Sequence, residues 1–236
     1  MRIGQLLGSG RTADVYALDD EAWVLRRYRD GADATPEAAV MAHLADHGFP
    51  VPRVTSSPAF DSRSDLVMRR LTGTTMLQAL LGGALTADEA ATEIAGLLDL
   101  LHTVPARLAA HPGDRVLHLD LHPDNVVLTP EGPVVIDWTT SAEGPPGRDR
   151  AMSALILAQV AVDPASPAAS GGRALLTALM PRLAAIGGVP DDDLAHVAAH
   201  RAANPMMSAA EVAHVGPAAE LVARLAARCG SGAATG

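Results

Sequence analysis

The sequence contains no lysine, and all 18 of its basic residues are arginine. Any task that an ammonium group performs elsewhere falls here to a guanidinium. Together with the abundance of Ala, Gly, Pro and Arg, this resembles the residue bias of a GC-rich genome. Cysteine is nearly absent as well. With Cys229 alone, no internal disulfide and no cysteine metal cluster can form. No apolar run approaches the roughly 18 residues of a membrane span, and residues 1–4 open no signal-like run. The expectation is a soluble, cytoplasmic chain with no membrane partner. Positive charge is in deficit: the formal net charge is −9, which argues against nucleic acid as a partner. The deficit is uneven, with 9 Arg against 10 acids up to residue 71 and 9 against 17 beyond it. That imbalance suits either a cationic substrate or a solvated acidic surface. Oligomeric state is not indicated.

The polar residues that could do chemistry concentrate in residues 116–138, VLHLDLHPDNVVLTPEGPVVIDW. This stretch reads as two short apolar strands, 126–128 and 133–137, joined by a turn at Thr129-Pro130-Glu131-Gly132. A loop before the first strand offers His118, Asp120, His122 and Asn125, and the second strand ends on Asp137. A hairpin of this kind would carry Asn125 and Asp137 to the same end. The spacing His-x-Asp-x-x-x-x-Asn, with a further Asp closing the next strand, is the layout of ATP-dependent phosphotransferases. Phosphoryl transfer needs one carboxylate to orient or deprotonate the attacking hydroxyl, and hard oxygen ligands for magnesium. Asp120 fits the first role, and Asn125 and Asp137 fit the second. His118 and His122 could instead be zinc ligands, but no third ligand stands at metal spacing. His118 is therefore assigned to bracing the loop, and His122 to supporting Asp120 or Asn125.

Toward the N-terminus, residues 3–7 and 14–18 read as strands around Gly8-Ser9-Gly10-Arg11-Thr12-Ala13. Glycine there lets backbone amides lie over a triphosphate, or simply closes a hairpin. A third strand spans residues 22–28, where alternation puts Val24 and Arg26 on one face. Thr35-Pro36-Glu37 then caps a helix running to Gly48, with Val40, Met41 and Leu44 as its apolar stripe. Strands follow at 48–54 and 65–69. Beyond residue 72 the pattern is helical, at about 74–81, 86–102 with a Thr86-x-x-Glu89 capping box, 149–162, 172–186, 191–203 and 208–228. Asp191, Asp192 and Asp193 either attract a cation or begin a helix.

The residues HLDLHPDN with VIDW resemble the catalytic loop and metal-binding Asp of the aminoglycoside phosphotransferase and choline kinase-like family. Leu119 stands where that family commonly has Gly, and Trp138 follows the Asp as in its small-molecule kinases. The resemblance implies an α+β fold of protein-kinase type, with two lobes: a small antiparallel β-sheet lobe carrying one helix, and a mainly helical lobe. It implies a nucleotide-binding lobe at 1–71 and a catalytic and substrate lobe at 72–236; the small, polar run GSGAATG at 230–236 itself reads as a disordered tail. It also implies that Gly8, Ser9, Gly10, Arg11 and Thr12 cover the phosphates, with Ala13 in place of a third Gly. Val15 would lie against the adenine, and Met68 and Leu71 would belong to the linker along its edge. Arg26 takes the position of the family's phosphate-binding Lys, and Glu37 that of its ion-pair partner. Asp149 resembles an acid that braces the catalytic loop.

The implied activity is transfer of the γ-phosphoryl group of ATP, with GTP as the other candidate donor, to a hydroxyl of a small molecule, with Mg2+ on Asn125 and Asp137. The acceptor could be an antibiotic, a sugar, an amino alcohol or another metabolite, and a cationic one would suit the acidic second part. Only about ten residues separate Asp137 from the next helix, too few for the long segment with which protein kinases dock a polypeptide. Two alternatives stay open: a regulatory pseudokinase that binds nucleotide without turnover, which the Arg at position 26 would suit, and a small atypical protein kinase.

Overall fold

The computed structural model describes residues 2–10, 12–19, 21–56, 60, 62–108 and 111–232. The chain divides into two compact units, Met1–Thr74 with Val127–Thr139, and Thr75–Val126 with Thr140–Gly236. The first segment of the first unit ends at Thr74, and the expected lobe boundary is at residue 71. The segment from residue 127 to 139, which the sequence places in the second part, groups with the first unit.

The first unit is built on five antiparallel strands: β1 (Ile3–Ser9), β2 (Ala13–Leu18), β3 (Trp23–Tyr28), β4 (Val54–Thr55) and β5 (Asp65–Arg69), in the order β1-β2-β3-β5-β4. β3 is buried on both faces because both have something to pack against. Leu25 forms a core with Leu18 and Val67, against which Tyr16, Trp23 and Phe60 pack. Its other face presents Val24, Arg26 and Tyr28, all buried. Helix α1 (Thr35–Asp46) buries Glu37, Val40, Met41 and Leu44, the spacing of a single helix face. Thr35 is its first residue rather than its cap, which is Ala34; Asp33 accepts the Thr35 N–H at 2.9 Å. Of the strand expected over 48–54 only β4 forms, because Pro50 and Pro52 have no N–H to give a ladder.

The central hairpin forms as expected, with β8 (Val126–Thr129) and β9 (Gly132–Val135), and β6 (Thr74–Thr75) extends it in the order β6-β8-β9. β9 stops two residues before the expected end at Asp137, because Asp137 turns into the left-handed region at φ 64°. Gly73 is required just before β6. A Cβ there would lie 2.1 Å from the carbonyl oxygen of Leu128.

The second unit comprises α2 (Met76–Leu81), α3 (Ala87–Leu101), α4 (Pro146–Val162), α5 (Ala169–Ala185), α6 (Asp191–Ala202), α7 (Ala209–Ala213) and α8 (Val215–Gly232), with a two-stranded ladder of β7 (Arg115–Leu117) and β10 (Ala142–Gly144). The Thr86 capping box on α3 forms as expected, and a second box on α2 uses Thr75 and Gln78. α4 is buried on nearly all sides and packs against α5, α6 and α8, which marks it as the core helix of the unit. It begins three residues before the expected Asp149, on Pro146, a residue preset for a first helical position. The single helix expected over 208–228 is two, α7 and α8. Pro217 in the first turn of α8 has no N–H to continue a helix from α7. α8 runs to Gly232, so residues 230–232 of the expected tail are helical, while 233–236 lie outside the described residues. Among the described residues no helix is long and apolar enough to cross a membrane.

Candidate active site

In the first unit the alternation of β3 aims Arg26 and Tyr28 at the start of α1. The Arg26 guanidinium donates to Glu37 Oε1 at 2.9 Å and, through its other amino group, to Asp137 Oδ1 at 2.9 Å. Glu37 accepts from three residues. Its Oε2 accepts the Tyr28 hydroxyl at 2.5 Å, and its Oε1 also accepts the Trp138 N–H at 3.1 Å. Burial pushes the Glu37 carboxyl above its ordinary value, against the pull of Arg26 and Tyr28. Burial works against the charge of Arg26, but Glu37 and Asp137 hold its proton more tightly than usual. Burial and then the bond to Glu37 push the Tyr28 hydroxyl well up, so it stays a donor. Trp138, fully buried, packs edge-on against Phe49 with ring centroids 5.7 Å apart and fixes the backbone beside Asp137.

The expected pair of Glu37 and Arg26 is therefore present. The contact of Arg26 with Asp137 is one that spacing could not reveal, since 111 residues separate them.

The glycine turn sits between β1 and β2, where Ser9 faces Asp14 and Gly8 faces Val15 across the ladder. Its hydroxyl is engaged: Ser9 Oγ donates to Asp14 Oδ1 at 2.6 Å. Arg29, which the sequence did not single out, donates to Ser9 Oγ at 3.0 Å and to the Gly10 carbonyl. Thr12 anchors the other side, its carbonyl accepting the Arg29 N–H at 2.9 Å. Val15 lies opposite Arg26 in the β2–β3 register, Met68 is on β5, and Leu71 follows that strand, half-buried. Arg11 lies outside the described residues.

In the second unit the loop after β7 carries the acid and the amide. Asn125 Nδ2 donates to the Asp120 carbonyl at 2.9 Å and to its Oδ2 at 3.2 Å, and lies 3.3 Å from His122 Nε2. His122 Nε2 is also 3.6 Å from Asp120 Oδ2, so it touches both residues it was expected to support. His118 is fully buried, and its Nδ1 accepts the Asp120 N–H at 3.2 Å.

Beneath the loop lies Asp149, fully buried on α4. It accepts the backbone N–H groups of His118 at 3.0 Å and Leu119 at 2.8 Å, and its Oδ2 is 3.2 Å from His102 Nε2. Burial alone would raise its carboxyl, but His102 and the His118 N–H hold it below the ordinary carboxylate value. These bonds hold Leu119 at φ 58°, a left-handed backbone where glycine would be unstrained. Leu119 therefore carries a backbone strain that a glycine would not.

Sequence reasoning missed Arg201. Its Nη1, from α6, lies 4.0 Å from Asp120 Oδ1, and its Nε meets Gln159 of α4. Nothing in the helical pattern of 191–202 marks one arginine among its exposed neighbours. The acids at the start of α6 are in its first turn, where the helix dipole favours them, and Asp193 Oδ1 is 3.5 Å from Arg148 Nε.

Taken as chemistry, the first unit offers a buried cation tied to two carboxylates, and the second an acid and an amide on a braced loop. A cation cage of three His, Cys, Asp or Glu side chains is not found among the described residues. Asp137 in the first unit offers a carboxylate and Asn125 in the second an amide oxygen, each a donor type that suits a hard ion. This fold and these sites define a protein-kinase-like phosphotransferase. The model of the phosphotransferase enzyme family matches residues 3–115 and 104–186, and the chain belongs to that family. It is an ATP-dependent phosphotransferase of the small-molecule kinase class.

Solved structures agree on the fold. The aminoglycoside phosphotransferase APH(4)-Ia is 12% identical, with TM-score 0.66, over 95% of this chain and 93% of that one. A choline/ethanolamine kinase family protein from Mesorhizobium loti is 16% identical, with TM-score 0.55, over 95% and 88%. The amicoumacin kinase hAmiN, solved in complex with AMP-PNP, Ca2+ and Ami, is 11% identical, with TM-score 0.54, over 93% and 87%. No curated protein sequence matches.

Proposed function

We propose that the chain moves the γ-phosphoryl group of ATP, rather than GTP, to a hydroxyl of a small molecule, with Asp120 orienting that hydroxyl and taking its proton. The acceptor oxygen bonds to the γ-phosphorus as the bond from phosphorus to the β–γ bridging oxygen breaks. ADP leaves with that electron pair, and the hydroxyl proton goes to the Asp120 carboxylate. The observation that carries this reading is how Asn125 is held. Its Nδ2 is turned to the Asp120 carbonyl and carboxylate, which directs its amide oxygen elsewhere as a hard ligand.

Asn125 and Asp137 would hold a magnesium ion, which when bound neutralises phosphate charge. Arg26 would hold phosphate oxygens, and its bond to Glu37 keeps the guanidinium in place. Gly8, Ser9, Gly10, Arg11 and Thr12 would lie over the phosphates, and Val15, Met68 and Leu71 against the base. On this reading residues 1–71 form the nucleotide lobe and the rest the catalytic and acceptor lobe. The AMP-PNP bound in the amicoumacin kinase structure supports an adenine nucleotide.

The test is thermal shift with ATP, with GTP and with each plus Mg2+, on the native chain and on Asp137→Ala. ATP at about 100 times its Kd should stabilise the native chain by about 2.7 kcal/mol. That gain should require Mg2+, should exceed that from GTP and should vanish in the variant. A native chain that no nucleotide stabilises would overturn the reading.

A further inference from the structure

Within the second unit a cavity of about 700 Å³ opens directly beside the catalytic loop, with His122, Pro123 and Asp124 forming part of its wall. Its volume is that of a site for a drug-sized molecule. The remaining wall is almost wholly aliphatic: Leu77, Leu80 and Leu81 from α2, Leu157 and Val160 from α4, and Leu175 from α5. Leu81, on this wall, is 73% exposed. His122 links the cavity to the chemistry, since the same imidazole lies 3.6 Å from the Asp120 carboxylate. A molecule in the cavity is thus one side chain from the proton acceptor.

The charges on the wall restrict the occupant further. Among the described residues Asp124 is the one carboxylate in the lining, and no arginine lines it. A polycationic aminoglycoside would bring several ammonium groups to a wall that can pair one of them, leaving the rest desolvated without partners. An anionic acceptor would meet the Asp124 carboxylate and, among the described residues of the wall, no arginine. The acidic start of α6 gives no alternative cradle, because it is not part of this wall and Asp193 is engaged by Arg148.

We infer that this cavity holds the body of the acceptor, and that the acceptor is an uncharged alcohol with an aliphatic or alicyclic body. The inference rests on the phosphotransferase reading above and adds the class of acceptor to it.

The test is ADP release from MgATP with n-butanol, n-hexanol and n-octanol as acceptors, beside choline and kanamycin. The native chain is compared with Ala174→Trp, which fills the cavity from an exposed position on α5. Each added CH2 should raise kcat/KM about fourfold. Choline and kanamycin should be poor acceptors, and the variant should lose the chain-length dependence. Faster transfer to kanamycin or choline, unaffected by Ala174→Trp, would overturn the inference. Calorimetric binding of the same alcohols without nucleotide separates the two readings. If no acceptor is phosphorylated but affinity still climbs about fourfold per CH2 and is lost in Ala174→Trp, the acceptor class stands and the transfer chemistry fails. Absence of such binding overturns the acceptor class whatever the nucleotide result.

Discussion

Arg26 and Asp137 are hydrogen-bonded at 2.9 Å, although one belongs to the third strand of the sheet and the other follows the hairpin 111 residues later. With Glu37 on the other arm of the guanidinium, one arginine hydrogen-bonds two carboxylates through separate amino groups, a fork that a lysine ammonium does not offer. In a chain without lysine, this accounts physically for how the position tolerates arginine. The fork needs two partners to be satisfied in a buried place, and it has them.

Removing that cation should be costly. Arg26→Ala leaves Glu37 buried beside Asp137 with no counter-charge, and should lower unfolding free energy by about 3–5 kcal/mol in urea titration. Arg26→Lys should recover part of the loss, because an ammonium can reach one carboxylate well but not both in the same geometry. Equal stability for native, Ala and Lys chains would show that the triad contributes nothing.

Gly73 offers a sharper test of local geometry. Its Cβ position lies 2.1 Å from the Leu128 carbonyl oxygen, which is backbone and cannot swing aside. Gly73→Ala should therefore destabilise by about 1–3 kcal/mol through overpacking. Gly113→Ala, with nothing within 4 Å of the new methyl group, should stay within about 0.5 kcal/mol of native. Thermal unfolding of the two variants side by side decides the matter.

Asp149 predicts a pH dependence. Its carboxyl is held below its ordinary value, so its contribution to stability is fully present above pH 3.8 and is lost as pH falls through the lower folded value. Stability measured from pH 6 to pH 2 should decline below about pH 4, and Asp149→Asn should decline less steeply there. At neutral pH the same variant should lose about 2 kcal/mol, since two backbone N–H groups and His102 share one acceptor fewer. An unchanged acid slope would show that Asp149 is not the group responsible.

Asp120 and Arg201 should separate in kinetics. Asp120→Asn should lower kcat by about 10²- to 10⁴-fold with little change in melting temperature, as expected of a group acting on the transferred proton. Arg201→Ala removes a partner 4.0 Å away and partly exposed, and should lower kcat/KM only about two- to fivefold. A loss on Arg201→Ala as large as that on Asp120→Asn would make the arginine part of the chemistry itself.

Much of this molecule is written in local signals. The β8–β9 hairpin, the capping box of α3, the apolar stripe of α1 and the shared face of Val24 and Arg26 follow from period, turn residues and caps, which act over a few residues and so can be read from them. The acid and amide of the loop were legible because six residues carry both. The errors were local too: Pro50 and Pro52 denied a strand its donors, Pro217 divided a helix, and the left-handed Asp137 cut β9 short.

What the tertiary structure alone decided are the partners. Arg26 with Asp137, Arg29 across the glycine turn and Arg201 beside Asp120 are pairings of residues many positions apart. The aliphatic cavity wall likewise draws its leucines from three helices. An arginine or leucine in a helical pattern has the same local signature whether it meets solvent, a carboxylate or a ligand. Only the packing of elements distant in sequence selects among these, because charge and burial act through space and not along the chain.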